Sequence, residues 1–341
     1  MNIKTRAPTK IIFFGEHYVV YGAPALSVAV DVDREIQFEL LPYEGKDKVI
    51  INNPVYGEGG TLYPDGTIEG ANFILMFAAI YKDIYEKTPE LKGKAIKATL
   101  LGGRIFKGMG ASSALGACLA LGLYKYGNKK VDLEEIFRCA QIGDEIDHGG
   151  RPSGIDARTV VHGGMIKFWR EFNPDKYNFE MMKVGLPKDT SILIVDTFRG
   201  ERCNTGDLVK AFGKSHGINV KPGELSQEER DKVMEPYLDI YNSALKEMNE
   251  NGNAKKLGEL MNKNHELLKQ HGISTDVIEQ ARKIVMDNGG LGFKITGAGG
   301  TGGAVIAYMY KKDLDKISAK LKENEFDFLL LKPTNDTVRL L

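Results

Sequence analysis

Lys107-Gly108-Met109-Gly110-Ala111-Ser112-Ser113-Ala114 runs without a break into an apolar stretch, Leu115 to Tyr124. Glycine, alanine and serine let backbone N–H groups come close to a ligand. A helix starting behind them adds unpaired N–H donors and the positive end of its dipole. A polyphosphate suits such a loop, and the hydroxyl of either Ser112 or Ser113 can ligate Mg²⁺. A plain tight turn is the simpler reading of the same residues. Upstream, Ile96, Ala98 and Leu100 alternate with polar neighbours, so a strand enters the loop. Downstream, the helix is predicted to reach about Tyr126.

Two further glycine-rich loops stand beyond it, His148-Gly149-Gly150-Arg151-Pro152-Ser153-Gly154-Ile155-Asp156 and Gly297-Ala298-Gly299-Gly300-Thr301-Gly302-Gly303. The Walker-type phosphate loop, the dinucleotide fingerprint after a strand, the zinc-protease helix motif and the hydrolase nucleophile elbow are all missing from the sequence. Phosphoryl transfer needs a phosphate cradle, Mg²⁺ ligands, a cation and a residue that orients or deprotonates the acceptor hydroxyl. The loop Gly108–Ser113 is the candidate cradle. Ser112 with Glu145 is the candidate Mg²⁺ pair, since Mg²⁺ keeps several waters and takes one or two protein oxygens. Asp156, on a constrained loop, suits a base, and Lys10 suits a cation that holds it ionised. Read singly, Asp156 is a turn residue, Glu145 a solvated helix residue, Lys10 a surface charge and His17 a polar residue at a strand end.

The rest of the chain mixes strands and helices without strict βαβ alternation, which predicts α+β and not a doubly wound sheet. Strands are expected at residues 11–14, 25–32, 35–40, 49–52, 164–169, 191–196, 292–296, 304–308 and 326–331, with an edge strand at 338–341. Residues 53–67, with four glycines and two prolines, read as a loop. Asp132 with Glu135, and Ser226 with Glu229, mark helix starts of the capping-box type. Helices are expected at about 227–249, 254–270, 275–287 and 313–322. At 341 residues the chain has room for two domains, and the strand at Ser191 opens the second half. Lys+Arg and Asp+Glu are both 46, so no global charge invites nucleic acid or a membrane surface. Cys118, Cys139 and Cys203 are too few and too far apart for a disulfide framework or zinc site. The polar N-terminus and the absence of about 18 consecutive apolar residues lead us to expect a cytoplasmic protein.

Five stretches together resemble the GHMP small-molecule kinases, the mevalonate kinase branch most closely. They are Ala7-Pro8-Thr9-Lys10 through Gly15-Glu16-His17 to Gly22, then Gly108 to Ala114, then Glu145 with Asp156 eleven residues on, then Arg202-Cys203-Asn204-Thr205, and Lys294-Ile295-Thr296-Gly297-Ala298-Gly299-Gly300. The resemblance spans nearly the whole chain. It implies an α+β, two-domain GHMP kinase-like fold, ribosomal-protein-S5-domain-2-like in residues 1–185 and ferredoxin-like in 186–341, with the active site in the interdomain cleft. It implies ATP and Mg²⁺ as cofactors, Asp156 and Lys10 as catalytic residues, and Ser112 and Glu145 as the metal site. Gly108, Met109, Gly110, Ala111, Ser112 and Ser113, with Gly297, Ala298, Gly299 and Gly300, would bind the ATP phosphates. Glu16, His17, Arg202 and Thr205 would surround a small-molecule acceptor: mevalonate, mevalonate 3-phosphate or a sugar. A non-catalytic binding protein of the same fold is the reading from another class. The chain departs from the family pattern at Ala111, Arg151 and Thr301. Arg104, Arg151 and Arg158 near the motif loops would suit an acceptor that already carries phosphate. The helices between Gln227 and Asp287 offer a surface for a homodimer.

Overall fold

The structure, a computed structural model, describes residues 2–31, 36–57, 59–147, 152–183, 185–200 and 205–341. The first half runs β1 (Ile3–Ala7), β2 (Thr9–Phe14), β3 (Ala25–Asp31), β4 (Ile36–Tyr43), β5 (Lys48–Asn52), β6 (Gly60–Leu62) and β7 (Ile68–Gly70). Helix α1 (Leu75–Lys87), β8 (Ala95–Leu101), α2 (Ala111–Tyr126), α3 (Leu133–Asp147) and α4 (Ile155–His162) follow, then β9 (Met165–Glu171) and β10 (Lys176–Met181). The second half holds β11 (Thr190–Asp196), α5 (Thr205–Ser215), α6 (Gln227–Glu247), α7 (Ala254–Gln270) and α8 (Asp276–Asp287). It ends with β12 (Gly290–Ile295), β13 (Ala304–Tyr310), α9 (Leu314–Glu323), β14 (Phe328–Leu330), β15 (Lys332–Pro333) and β16 (Arg339–Leu340).

One sheet of the first half is ordered β16-β1-β4-β8-β5-β6-β7, antiparallel except for the β5–β8 pair. A second is ordered β10-β9-β3-β15, with β2 also paired to β3. Every residue of β2 is buried, which is why it reads as a continuous apolar run. Helix α2 lies against the large sheet so closely that a Cβ on Gly122 would sit 2.6 Å from the Leu40 side chain. The second half has one antiparallel sheet, β12-β13-β11-β14. With α5 to α8 between β11 and β12, and α9 between β13 and β14, this is the split βαβ order of a ferredoxin-like unit. The last ten residues return to the first half, where β15 pairs with β3 and β16 with β1. A division at 185/186 therefore leaves those two strands with the earlier sheets. Among the described residues no helix is long and apolar enough to cross a membrane.

The expected helix caps form. The Glu135 N–H donates to Asp132 Oδ1 (2.9 Å), and Ser226 and Glu229 close a reciprocal box at the start of α6. Residues read as loop in 53–67 instead contribute β6, which pairs with β7. Cys118 and Cys139 are buried free thiols, and Cys203 lies outside the described residues.

Candidate active site

The chain between β8 and α2 folds as a tight turn whose two glycines adopt left-handed backbone, φ +95° at Gly108 and +71° at Gly110. Space enforces the choice as well: a Cβ on Gly108 would lie 2.9 Å from the Thr296 carbonyl oxygen, and one on Gly110 would lie 2.9 Å from Lys10 Cγ. Lys10, in β2, is 1% exposed. Its backbone N–H donates to the Met109 carbonyl (2.9 Å). Its ammonium donates to the Gly108 carbonyl (3.0 Å) and sits 2.9 Å from Asp156 Oδ1. Asp156 is not on a loop, as its neighbours Pro152 to Gly154 suggest, but in the first turn of α4. There its carboxylate sits at the helix N-terminus and against the Lys10 ammonium.

The two serines share one partner. Ser112 Oγ donates to Asp144 Oδ1 (3.1 Å), and Ser113 Oγ donates to the other oxygen of the same carboxylate. Ser112 and Asp144 line the cleft, whereas Ser113 is fully buried behind them. Glu145, the carboxylate expected here, is exposed and does not face the cleft. Helical phase explains the placement. The buried side of α3 carries Ile136, Phe137, Cys139, Ala140, Gly143 and Asp144, and residue 145 turns away from it. Asp147, one turn after Asp144, also lines the cleft. The last turn of α3 carries no basic residue, so the negative helix end and two cleft carboxylates create a place for a cation.

Facing this wall is the second half of the molecule. Gly297, Ala298, Gly299, Gly302 and Gly303 line the cleft. Gly300 instead packs on Leu208, and its N–H donates to the Ile273 carbonyl (3.1 Å). Met109 is buried in the core. Two hydrogen bonds tie the halves together here: Ile12 N–H to Thr296 Oγ1 (2.7 Å), and His17 Nε2 with the Ala298 carbonyl (3.0 Å). His17 is stacked on Phe212 of α5. Burial pushes its imidazole down to about 4, opposed by the Ala298 bond and reinforced by His271. Glu16, His17, Thr205 and Val209 line one end of the cleft, and Tyr56, Phe73 and Arg104 line another part of it. The cleft volume is about 800 Å³. Arg158 is elsewhere: it is buried, pairs with Glu134 (2.6 Å) and lies between the Phe137 and Phe179 rings. Arg151 and Arg202 lie outside the described residues.

Asp144, Asp147, Tyr56 and Phe73 are cleft residues that the motif reading passes over. Only Asp144 had a signal, its place on the apolar phase of α3.

Known proteins match this chain over most of its length. The family described as GHMP kinases N terminal domain matches residues 78–164, and that described as GHMP kinases C terminal matches residues 228–326. The chain belongs to the GHMP kinases. As a GHMP kinase it is an enzyme that uses ATP. A mevalonate kinase of Thermococcus onnurineus is 27% identical over 94% of this chain and 92% of its own length. The fold matches L. major mevalonate kinase in complex with R-mevalonate at TM-score 0.72 and 22% identity, covering 97% of this chain and 96% of that one. It matches Lactococcus lactis galactokinase complexed with galactose at TM-score 0.77 and 18% identity, covering 100% and 95%.

Proposed function

We propose that this GHMP kinase transfers the γ-phosphoryl group of ATP to the 5-hydroxyl of mevalonate. The observation that carries the chemistry is the Lys10–Asp156 pair next to the Gly108–Ser112 turn, with Ser112 and Asp144 beside it in the same cleft. Backbone N–H groups at the start of α2 receive the phosphates. Ser112 and Asp144 would hold Mg²⁺, with Asp147 also lining the cleft, and the ion would supply charge neutralisation for the phosphates. Asp156 takes the proton of the attacking hydroxyl as the new O–P bond forms and the bond to the ADP oxygen breaks. Lys10 holds the Asp156 carboxylate in place until then.

Support for mevalonate comes from two sides. The relatives that match over most of the chain are mevalonate kinases, and the cleft places Val19, Val20 and Val209 beside Glu16, His17 and Thr205. A branched hydroxy acid with one methyl group suits this mixed wall. A sugar would set several hydroxyls against valines with no partner for them. Arg202 is the candidate cation for the acceptor carboxylate. The test is product identification by ³¹P NMR with ATP, Mg²⁺ and, in separate tubes, mevalonate, mevalonate 3-phosphate and galactose. A 5-phosphate signal from plain mevalonate is expected; turnover of only one of the other two overturns the assignment.

A further inference from the structure

The Lys294 ammonium and the Glu16 carboxylate form an ion pair in which neither side chain has any exposed surface. Glu16 follows β2 in the first half and Lys294 belongs to β12 in the second, 278 residues apart. Lys294 Nζ also donates to the Ile295 carbonyl (2.7 Å) and lies over the Phe14 ring. Burial pushes the Glu16 carboxyl up and the Lys294 ammonium down, and each opposes the shift of the other. Taking two charges out of water is unfavourable unless their geometry and remaining hydrogen bonds compensate. Here the compensation is one-sided. Glu16 Oε1 is held by Lys294, while Glu16 Oε2 is buried and has no hydrogen-bond partner among the described residues. Yet Glu16 lines the cleft.

The pair also belongs to a strip. Ile12 with Thr296, Glu16 with Lys294 and His17 with Ala298 join residues 12–17 to residues 294–298 across the two halves. Lys10, paired to Asp156, is the next charge felt by both Glu16 and Lys294. The order Asp156, Lys10, Glu16, Lys294 therefore alternates in sign from one half of the molecule to the other. A pair that served packing alone would do so equally well with both carboxylate oxygens satisfied.

We propose that Lys294 is a positioning residue, holding the Glu16 carboxylate across the domain boundary so that its second oxygen accepts a hydrogen bond from the alcohol substrate. This rests on the phosphotransfer reading for the identity of the alcohol but not for the link between the halves.

The test uses the full chain as wild type, Lys294→Met, Lys294→Arg and Glu16→Gln with Lys294→Met. Steady-state kinetics would be run with ATP and whichever alcohol of mevalonate, mevalonate 3-phosphate and galactose the wild type phosphorylates. Lys294→Met is expected to raise the KM for the alcohol about tenfold or more, the factor one charge-assisted hydrogen bond supplies, with the KM for ATP within about threefold. The raised KM should fall as pH rises, as a Glu16 without its partner regains its charge. Wild type should lack that dependence, and Lys294→Arg should restore most of the affinity. Amide exchange in the ligand-free protein should quicken in residues 14–18 of Lys294→Met. An alcohol KM unchanged in Lys294→Met overturns the proposal. So does an equal rise in both KM values with no recovery at high pH, or a double variant that regains both the melting temperature and the alcohol KM. A wild type active only on another alcohol defeats the mevalonate assignment and leaves this comparison intact. A wild type active on none defeats the functional reading, and the exchange rates then decide: faster exchange in residues 14–18 supports the link, and unchanged exchange overturns it.

Discussion

A proton on His17 should destabilise this protein, and the structure fixes both the sign and the size. The ring is 5% exposed and stacks on Phe212. A carbonyl only accepts, so the bond to Ala298 places the neutral ring's hydrogen on Nε2. Nδ1 is then a lone pair, buried and without a partner among the described residues. A second proton there would be a buried charge with an unsatisfied N–H. The folded-state value of about 4 lies below the ordinary 6.5. Between these limits the unfolded chain binds a proton that the native one refuses. This stability is therefore fully present above about pH 6.5 and is lost as pH falls toward 4. At 1.36 kcal/mol per unit the whole loss is about 3 kcal/mol, of which about 2 kcal/mol falls between pH 7 and pH 5. Denaturant unfolding of wild type and His17→Gln at both pH values isolates this contribution, since glutamine keeps a donor for Ala298 and never titrates. The wild-type advantage is expected to shrink by about 2 kcal/mol from pH 7 to pH 5. An advantage that stays constant, or a His17 imidazole that titrates near 6.5 by NMR, would refute the reasoning. The consequence is that His17 is neutral near pH 7 and brings no charge to the cleft it lines.

Three other outcomes follow from the geometry. Asp156→Asn should lower turnover on the order of 10²–10⁴-fold with nucleotide affinity largely kept, because the turn backbone and not Asp156 receives the phosphates; near-normal turnover would sink the base assignment. Asp144→Asn should raise the Mg²⁺ concentration for half-maximal rate about tenfold, while Glu145→Gln, exposed on the other face of α3, should leave it alone; equal effects would return the metal to Glu145. Gly108→Ala should weaken ADP binding and lower the melting temperature together, since φ +95° and a Thr296 oxygen at 2.9 Å both oppose a Cβ. The backbone strain alone is about 1–2 kcal/mol, and a variant with native binding and melting would show that the turn is not held against the second half.

Much of this was legible because single residues announce it. Gly108 and Gly110 mark backbone that only glycine adopts readily, the serines after them mark a helix start, and Ser226 with Glu229 marks another. What failed had a common physical origin: the deciding contact was remote in sequence. β1 is five residues of mixed polarity that become a strand because β4 and β16 pair with it on both sides. α5 is amphipathic, with Val209 and Phe212 buried, but its apolar face is short and follows a polar stretch. That Asp144 and not Glu145 lines the cleft was hidden because a spacing counted along the chain ignores which way a helical residue points. Asp156 reads as a turn residue after Pro-Ser-Gly, yet α4 starts one residue earlier and gives it a helix N-terminus instead.

The family matches divide the cleft in an instructive way. Residues 78–164 hold Gly108, Ser112, Asp144 and Asp156, and residues 228–326 hold Lys294, Thr296 and the glycine loop. Lys10, Glu16, His17, Thr205 and Val209 fall outside both. The groups we assign to phosphate, metal and base thus sit mostly in the shared segments. The wall we assign to the alcohol sits mostly in residues 10–20 and 205–212. A kinase built this way can change acceptor without disturbing its phosphate chemistry, provided the new wall still meets the glycine loop. Here Thr296, Lys294 and Ala298 meet residues 12–17 through hydrogen bonds and an ion pair. Acceptor choice and domain alignment are therefore coupled through the same few residues. A substitution in residues 12–17 that breaks one of those contacts should alter both, whereas one at Val19 or Val209, which make none of them, should alter acceptor affinity alone.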